Sequence, residues 1–388
     1  MMYHRLISEQ LINSLKSYPV LTLLGPRQSG KTTLVRKIFS HYEYQSLEDP
    51  DVREIAKSDP RGFLSQLSNH CILDEFQRVP ELSSYIQTIV DEPGNKNKFV
   101  LTGSNGLLLV DSITQTLAGR TELFHLHPLS VSEILQHHPD FSLNEFLFNG
   151  GYPRIYDSQL NPTKWLKSYF QLYVEKDIRL LTNITKIDLF EKFVKLAAGR
   201  VGQLVNASSL SNQVGVSSPT IAEWISALNA TYISFTLSPH FNNYKKRIIK
   251  TPKLYFHDTG LLCYLLGINS MDQLNTHPLR GNIFENFVIS EYQKKCTNTG
   301  NDVSLYFWRD QKGHEVDLVE DRSTYLFPIE IKMSETFHSS FIKNIQYLNK
   351  LQGTDIPQTQ INGELIYSGQ NESLYKNVQL HHWLSVFS

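Results

Sequence analysis

The apolar run Val20 to Leu24 passes directly into Gly25-Pro26-Arg27-Gln28-Ser29-Gly30-Lys31-Thr32, and a helical pattern begins near Lys31. Strand, glycine-rich turn and helix in that order leave few folds open. The spacing G-x-x-x-x-G-K-[ST] requires backbone that can wrap an anion, and glycine supplies that freedom. The N–H groups of the turn and the helix N-terminus then offer positive potential to a phosphate. Four further short apolar runs, Tyr42 to Ser46, His70 to Leu73, Phe99 to Thr102 and Leu123 to Leu126, alternate with amphipathic helical stretches. That alternation predicts an α/β domain over residues 1–142, a P-loop parallel sheet with helices on both faces.

The chemistry expected of this domain follows from its residue types. Lys31 can reach the β and γ phosphates of ATP and Thr32 can ligate Mg2+, while Gly25, Pro26, Arg27, Gln28, Ser29, Gly30 and Thr33 complete the nucleotide contacts. The run His70 to Leu73 ends in Asp74-Glu75. Asp74 is placed to hold the metal through water. Glu75, pointing to the other side of the strand end, is placed to orient and deprotonate the attacking water; the alternative is a solvated loop carboxylate. Phe99 to Thr102 leads into Gly103-Ser104-Asn105, where Ser104 and Asn105 either sense the γ-phosphate or serve an ordinary turn. Arg120 is a cation for transition-state charge in its own site or a neighbour's, or else a plain salt bridge.

A chain of 388 residues exceeds one ordinary core, so further domains are expected. Residues 143–199 read as a helical connector, with Trp165, Tyr169, Leu172 and Tyr173 and then Phe190, Phe193, Val194 and Ala197 at helical spacing. In residues 200–258, Ala207 to Gln213 and Pro219 to Leu228 read as two short helices around a turn, with Ser218 as N-cap of the second. The β-rich runs Tyr232 to Leu237 and Lys253 to Phe256 flank a loop carrying Lys245, Lys246, Arg247 and Lys250. This is a winged helix-turn-helix pattern, and those four cations are the expected nucleic-acid contacts. A formal net charge of -1 adds no global attraction, so DNA or RNA binding would rest on this patch. A protein-contact module or a lid on the ATPase fits the same pattern.

Residues 259–388 start helical and then predict strands at Val303 to Trp308, Glu315 to Val319 and Tyr325 to Ile331, a third α/β unit. Asp317 on one strand and Glu330 with Lys332 on the next converge, and Glu285 on the helix Gly281 to Tyr292 can join them. Two oxygen ligands and an ammonium suit a magnesium-dependent phosphodiesterase. They equally suit an amphipathic sheet whose charged face is solvated. The three cysteines, Cys71, Cys263 and Cys296, are widely spaced and read as reduced core thiols. No run approaches the roughly 20 apolar residues of a membrane span, and the start lacks a signal-peptide core, so a cytoplasmic location is expected.

Stretches along nearly the whole chain carry a family resemblance: GPRQSGKTTL, SLEDPDVR, LDEFQRVPEL, FVLTGSN, LAGRTELFHLHPLS, GGYPR, YVEKDI, YFHDTGL, GNIFENFVISEY, GHEVDLV and PIEIK. The sequence resembles the prokaryotic AAA-type P-loop ATPases, distantly similar to archaeal ATPases, that carry a C-terminal domain of unknown function. The resemblance implies an ATPase core with an additional strand and a catalytic glutamate, a winged-helix segment, and a C-terminal fold similar to PD-(D/E)xK nucleases. Val316 stands where that nuclease pattern has proline. Gly151-Tyr152-Pro153-Arg154 and Phe256-His257-Asp258-Thr259-Gly260 match the family and are expected to form structural turns, with Asp258 capping a helix. Three functions remain open: an ATP-driven switch acting on nucleic acid, a signalling or scaffold protein whose degenerate nuclease-like domain binds a protein, and a non-hydrolysing nucleotide sensor, which would require Glu75 to be misplaced or the assembly incomplete. A homo-oligomer is compatible with each.

Overall fold

The computed structural model describes residues 3–104, 113, 115–174, 187–240, 251–300, 304–353 and 361–388. Asn105 and the cations Lys245, Lys246, Arg247 and Lys250 lie outside the described residues.

The N-terminal sheet is built from β1 (Val20–Leu24), β2 (Glu43–Ser46), β3 (His70–Asp74), β4 (Lys98–Gly103) and β5 (Thr121–His125), in the order β2-β3-β4-β1-β5. Every pairing in it is parallel. β1, β4 and most of β3 are buried along their length, as expected for central strands covered on both faces. One face packs Leu24, Leu73, Phe76 and Leu101 against Ile86 and Leu117. The other packs Leu21, Leu23, Ile72 and Val100 against Leu11, Leu34 and Val35. β4 lies between β1 and β3, so the turn after β1 and the carboxylates after β3 open at the same carboxyl edge, one strand apart.

Most buried apolar residues from Leu129 onward join one large cluster, and two smaller clusters lie on the C-terminal sheet. The helices Leu143–Asn149, Pro153–Asp157, Pro162–Tyr169 and Ile187–Ala198 contribute to a single apolar core. The same core takes in the helix pair Ala207–Val214 and Ser218–Ala230, and the helix Arg280–Thr299. The first of that pair ends at Gly215 in the left-handed region. The second is capped by Ser217, whose hydroxyl accepts from Thr220 N at 3.2 Å, and Pro219 stands in its first turn. The cap is therefore Ser217 rather than Ser218, whose hydroxyl pairs with Ser211 at 3.1 Å. Trp224 turns inward between Phe190 and Phe193, both 5.4 Å away ring to ring.

β6 (Ser234–Leu237) and β7 (Lys253–Phe256) pair antiparallel after this helix pair. β6 starts two residues later than the apolar run, because Tyr232 takes a positive φ of 58° and turns the chain. The C-terminal sheet contains β8 (Ser304–Arg309), β9 (Glu315–Asp321), β10 (Leu326–Lys332), β11 (Glu364–Tyr367), β12 (Ser373–Tyr375) and β13 (Val378–His382). Its order is β12-β13-β11-β10-β9-β8. The meander β8-β9-β10 is antiparallel, and after the helix Lys343–Gln352 the chain returns parallel to β10 in β11. β11, β12 and β13 are too short and too interrupted by polar residues to show as strands in the sequence. Among the described residues no helix is long and apolar enough to cross a membrane.

Candidate functional site

The glycine-rich turn closes tightly against β5. Gly25 has φ 150°, and a Cβ there would stand 2.2 Å from the carbonyl oxygen of Leu126, so a side chain is barred from the position. Leu126 N in turn donates to Leu24 O at 2.7 Å, which locks the turn to the sheet edge. Lys31, the first residue of the helix Lys31–Ile38, is buried, and its Nζ donates to the carbonyls of Gly25 at 2.8 Å and Pro26 at 2.9 Å. The ammonium is thus folded back over the loop whose N–H groups would cradle an anion.

Thr32 and Asp74 meet across β1 and β3. The Thr32 hydroxyl donates to Asp74 at 2.9 Å (Oδ2) and 3.2 Å (Oδ1). Tyr44 on β2 donates to Asp74 Oδ2 at 2.8 Å, and Thr102 at the end of β4 donates to Oδ1. Burial and the Asp74 carboxylate push the Tyr44 phenol up to about 12, so it stays a donor. Three hydroxyls hold a carboxylate that is only 5% exposed.

Glu75 faces the other way, with φ 55° at the start of the 3-10 turn Phe76–Arg78. A non-glycine residue in the left-handed region is uncommon, and here it aims the carboxylate along the sheet edge. Ser104 Oγ donates to Glu75 Oε2 at 3.2 Å, Gln77 Nε2 donates to the same oxygen, and Gln77 also reaches Ser104 Oγ at 3.3 Å. Ser104 therefore touches Glu75 and, through Gln77, is tied into one cluster with it. A cleft of about 510 Å³ opens beside these groups, lined by Gln28, Lys31, Thr32, Thr33 and Glu75 and, from the helix Pro153–Asp157, by Arg154 and Asp157.

Several supports come from residues distant in sequence. Arg5 is buried and donates to Ser29 O at 2.8 Å, to His127 O at 2.6 Å and to Glu133 Oε1 at 3.0 Å, bracing the turn from behind. Tyr169 OH donates to Arg27 O at 3.3 Å. Thr102 shows in the sequence only as a polar residue near the end of an apolar strand, and Tyr44 only as the aromatic residue of the polar strand Glu43–Ser46. Arg5 and Tyr169 carry no local signal, since their partners are set by packing.

Arg120 is not brought to this cleft. Its carbonyl accepts from Val20 N at the start of β1, the edge opposite the turn, and its guanidinium grips Asp91 at 2.6 Å and 2.7 Å. The strand-end cation expected for its own site is a surface ion pair, because the chain enters β5 from the amino edge of the sheet.

The second expected cluster does come together, as ion pairs. Lys332 Nζ lies 2.9 Å from Asp317 Oδ2 and 2.6 Å from Glu330 Oε2. Lys253 on β7, absent from the sequence expectation, is 3% exposed and lies 2.6 Å from Glu315 and 3.4 Å from Glu285. Tyr255 OH donates to Glu285 at 2.6 Å, and Ile331 N donates to Asp317 at 2.9 Å. The neighbouring lysines hold Asp317 down to about 2, while burial and the Asp317 charge push Glu330 well up. The expected convergence of Asp317, Glu330 and Lys332 is therefore present as a set of ion pairs, with Lys332 joining the two carboxylates and Lys253 reaching Glu285 from the neighbouring hairpin. Among the described residues no group of three or more histidine, cysteine or acidic side chains is arranged to hold a metal.

A family model described as an AAA domain matches residues 17–135. Models described as domains of unknown function match residues 140–272 (DUF8612) and 280–383 (DUF4143). An uncharacterised protein of Mycobacterium tuberculosis is 31% identical over 332 residues, covering 84% of this chain and 73% of the relative. An uncharacterised protein of Haemophilus influenzae is 24% identical over 401 residues, covering 92% and 95%. Among solved structures, a Walker-type ATPase of Pyrococcus abyssi aligns with a TM-score of 0.46 at 16% identity, over 67% of this chain and 94% of its own. RuvB of Thermotoga maritima aligns with a TM-score of 0.32 at 18% identity, over 59% and 88%. With the AAA domain at its head, the DUF4143 domain at its tail and relatives matched along most of its length, this chain belongs to the prokaryotic AAA-type P-loop ATPases that carry a C-terminal domain of unknown function.

Proposed function

We propose that the protein binds ATP with magnesium between the Gly25–Thr32 turn and Asp74-Glu75, hydrolyses it, and uses the change to reposition its C-terminal half. The observation that carries this reading is the division of labour after β3. Asp74 is bound to Thr32, whereas Glu75 is turned by Ser104 and Gln77 toward the open cleft. Thr32 and Asp74 are hard oxygen donors side by side, which fits a magnesium ion that keeps most of its waters. When bound, the ion would supply charge stabilisation at the phosphates. Glu75 takes a proton from the attacking water, and the Lys31 ammonium exchanges its loop carbonyls for phosphate oxygens.

The polymer acted on is proposed to be nucleic acid. Support comes from the helix-turn-helix Ala207–Val214 and Ser218–Ala230 with the β6–β7 hairpin behind it, a winged-helix arrangement that the basic 245–250 loop would complete. One observation favours a second reading, a protein-binding scaffold: Asp317 and Glu330 are ion-paired with Lys332, and Glu285 with Lys253. Arg120 is retained as a group acting in a neighbouring subunit of a homo-oligomer.

The deciding measurement is phosphate release from ATP for the wild type and Glu75→Gln, with and without DNA or RNA at low salt. Turnover that needs Glu75 and rises with polymer supports the coupled ATPase. Turnover indifferent to both polymers transfers the proposal to a protein partner, and no turnover under any condition defeats the hydrolytic reading.

A further inference from the structure

β2 (Glu43–Ser46) is an edge strand of the N-terminal sheet, half-buried along its length, and nothing in its composition suggests a part in the nucleotide site. Its parallel pairing with β3 sets Ser46 beside Asp74 and Tyr44 beside Ile72. The side chains of Tyr44, Ile72 and Asp74 therefore leave the sheet on one face, the face on which the helix Lys31–Ile38 packs. Tyr44 stands two residues before the level of Asp74, a gap of about 7 Å along the strand. A phenol spans that gap, and its hydroxyl donates to Asp74 Oδ2 at 2.8 Å. A serine or threonine hydroxyl at the same place would fall short.

The phenol is held in turn by the helix that follows the glycine-rich turn. The Arg36 guanidinium lies over its ring, 4.6 Å from the centre. Arg36 comes one helical turn after Thr32, so one face of this helix sets Thr32 on the Asp74 carboxylate, at 2.9 Å, and Arg36 on the phenol. The backbone closes the arrangement, with Leu47 N donating to Asp74 O at 3.0 Å. Asp74 Oδ2 thus accepts from Thr32 and Tyr44, and Oδ1 from Thr102. Thr32 is itself a metal donor in the reading above. Tyr44 reaches the same carboxylate oxygen from the edge strand and fixes it whichever way the Thr32 hydroxyl is engaged.

We infer, resting on the ATPase reading above, that Tyr44 is a positioning residue for the metal site: its hydroxyl fixes the Asp74 carboxylate as an acceptor for the water around the magnesium of bound ATP. A carboxylate whose oxygens already accept hydrogen bonds makes a poor direct ligand and a good acceptor for metal-bound water. That suits magnesium, which gives up its waters reluctantly. Hydrogen-bond partners placed behind a metal-holding group change metal affinity about 10–100-fold when they are removed. Tyr44→Phe isolates this contribution, because the ring keeps its place under Arg36 and beside Ile72 while the hydroxyl alone is lost.

The test uses the full chain and follows ATP binding and phosphate release against free Mg2+ for the wild type, Tyr44→Phe, Asp74→Asn and the double variant. Tyr44→Phe should raise the Mg2+ concentration at half-saturation about tenfold, leave ATP affinity in EDTA unchanged, and return to nearly the wild-type rate at saturating Mg2+. In the Asp74→Asn background the same substitution should add little, because its effect passes through that carboxylate. Should Tyr44→Phe also lower the thermal midpoint, the comparison of the two backgrounds still decides. An unchanged half-saturation point in Tyr44→Phe overturns the inference and leaves the ATPase reading standing. An equal loss in both backgrounds, or a lost rate that excess Mg2+ does not recover, marks a structural role and overturns it too. A wild type whose ATP binding ignores Mg2+ overturns the metal-dependent reading and this inference with it.

Discussion

The glycine-rich site and the C-terminal charge cluster are built from the same kinds of parts, carboxylates at strand ends with a lysine close by, and they differ in what holds those parts. At the first site Asp74 is surrounded by the neutral hydroxyls of Thr32, Tyr44 and Thr102, and Lys31 rests on backbone carbonyls. Lys31 borders an open cleft together with Glu75, while Asp74 is buried behind Thr32. In the second cluster Lys253 and Lys332 are paired directly with Glu315, Asp317 and Glu330, and Glu330 is 1% exposed. A site stays reactive when its charges are oriented by dipoles and left for a ligand to neutralise; the same residues become a joint when they neutralise each other.

The largest expected effect tests the first half of that contrast. Glu75→Gln removes the proton acceptor while keeping size and most hydrogen bonds, so ATP turnover should fall by about 10²–10⁴ with nucleotide affinity retained. An unaltered rate would mean that the carboxylate next to Asp74 is a bystander. Lys31→Ala follows, with ATP affinity expected to drop on the order of 100-fold by titration, the equivalent of one strong charge-assisted contact. Wild-type affinity in that variant would remove the reason for calling the first site reactive.

The second half is tested by Lys253→Met. Taking one cation out of a buried ion cluster leaves its carboxylates uncompensated, at a cost of about 3–5 kcal/mol in urea unfolding. If Mn2+ restored the lost stability in the variant, the cluster would be shown able to hold metal once the lysine is gone, and the contrast would narrow. Full stability without the lysine would break it.

Acidity probes the seam between the two regions, where His127 and His257 stack with ring centres 5.0 Å apart. Burial pushes both imidazoles down, His257 to about 3, and they face each other with His125, Lys294 and Arg5 around them. Their folded values lie below the unfolded one, so the neutral stack contributes fully above about pH 6.5. That contribution is lost as the unfolded chain gains protons from about pH 6.5 down toward 3, at up to roughly 1.4 kcal/mol per pH unit for each histidine. The thermal midpoint should fall over that window, and His257→Phe should flatten the slope; an equal slope in the variant would place the acid sensitivity elsewhere. The smallest effect belongs to Arg120→Ala, which should leave turnover of a dilute monomer unchanged and matter only if assembled subunits hydrolyse faster.

Much of the first site was legible because its determinants are local. Gly25 to Thr32, the strand His70–Asp74 and the adjacent Glu75 announce themselves by spacing alone, and strand alternation located Tyr44 and Thr102 without revealing that they serve Asp74. The C-terminal cluster was half legible: Asp317, Glu330 and Lys332 follow from period-two geometry, while Lys253, which changes their meaning, sits on a strand of the neighbouring hairpin. Ser217 displaced Ser218 as a cap because a one-residue shift in helix start leaves almost no trace in composition.

The sequence by itself determined the parallel sheet, the phosphate-binding turn and the order of helical and β-rich segments, since each depends on residues within a few positions of one another. Only the tertiary structure decided that Arg120 lies at the edge away from the turn, that the helix Pro153–Asp157 lines the cleft beside it, and that Lys253 joins the acidic cluster. Those outcomes depend on which edge of a sheet a segment enters and which strand lies beside it, and burial of apolar surface across distant stretches sets both.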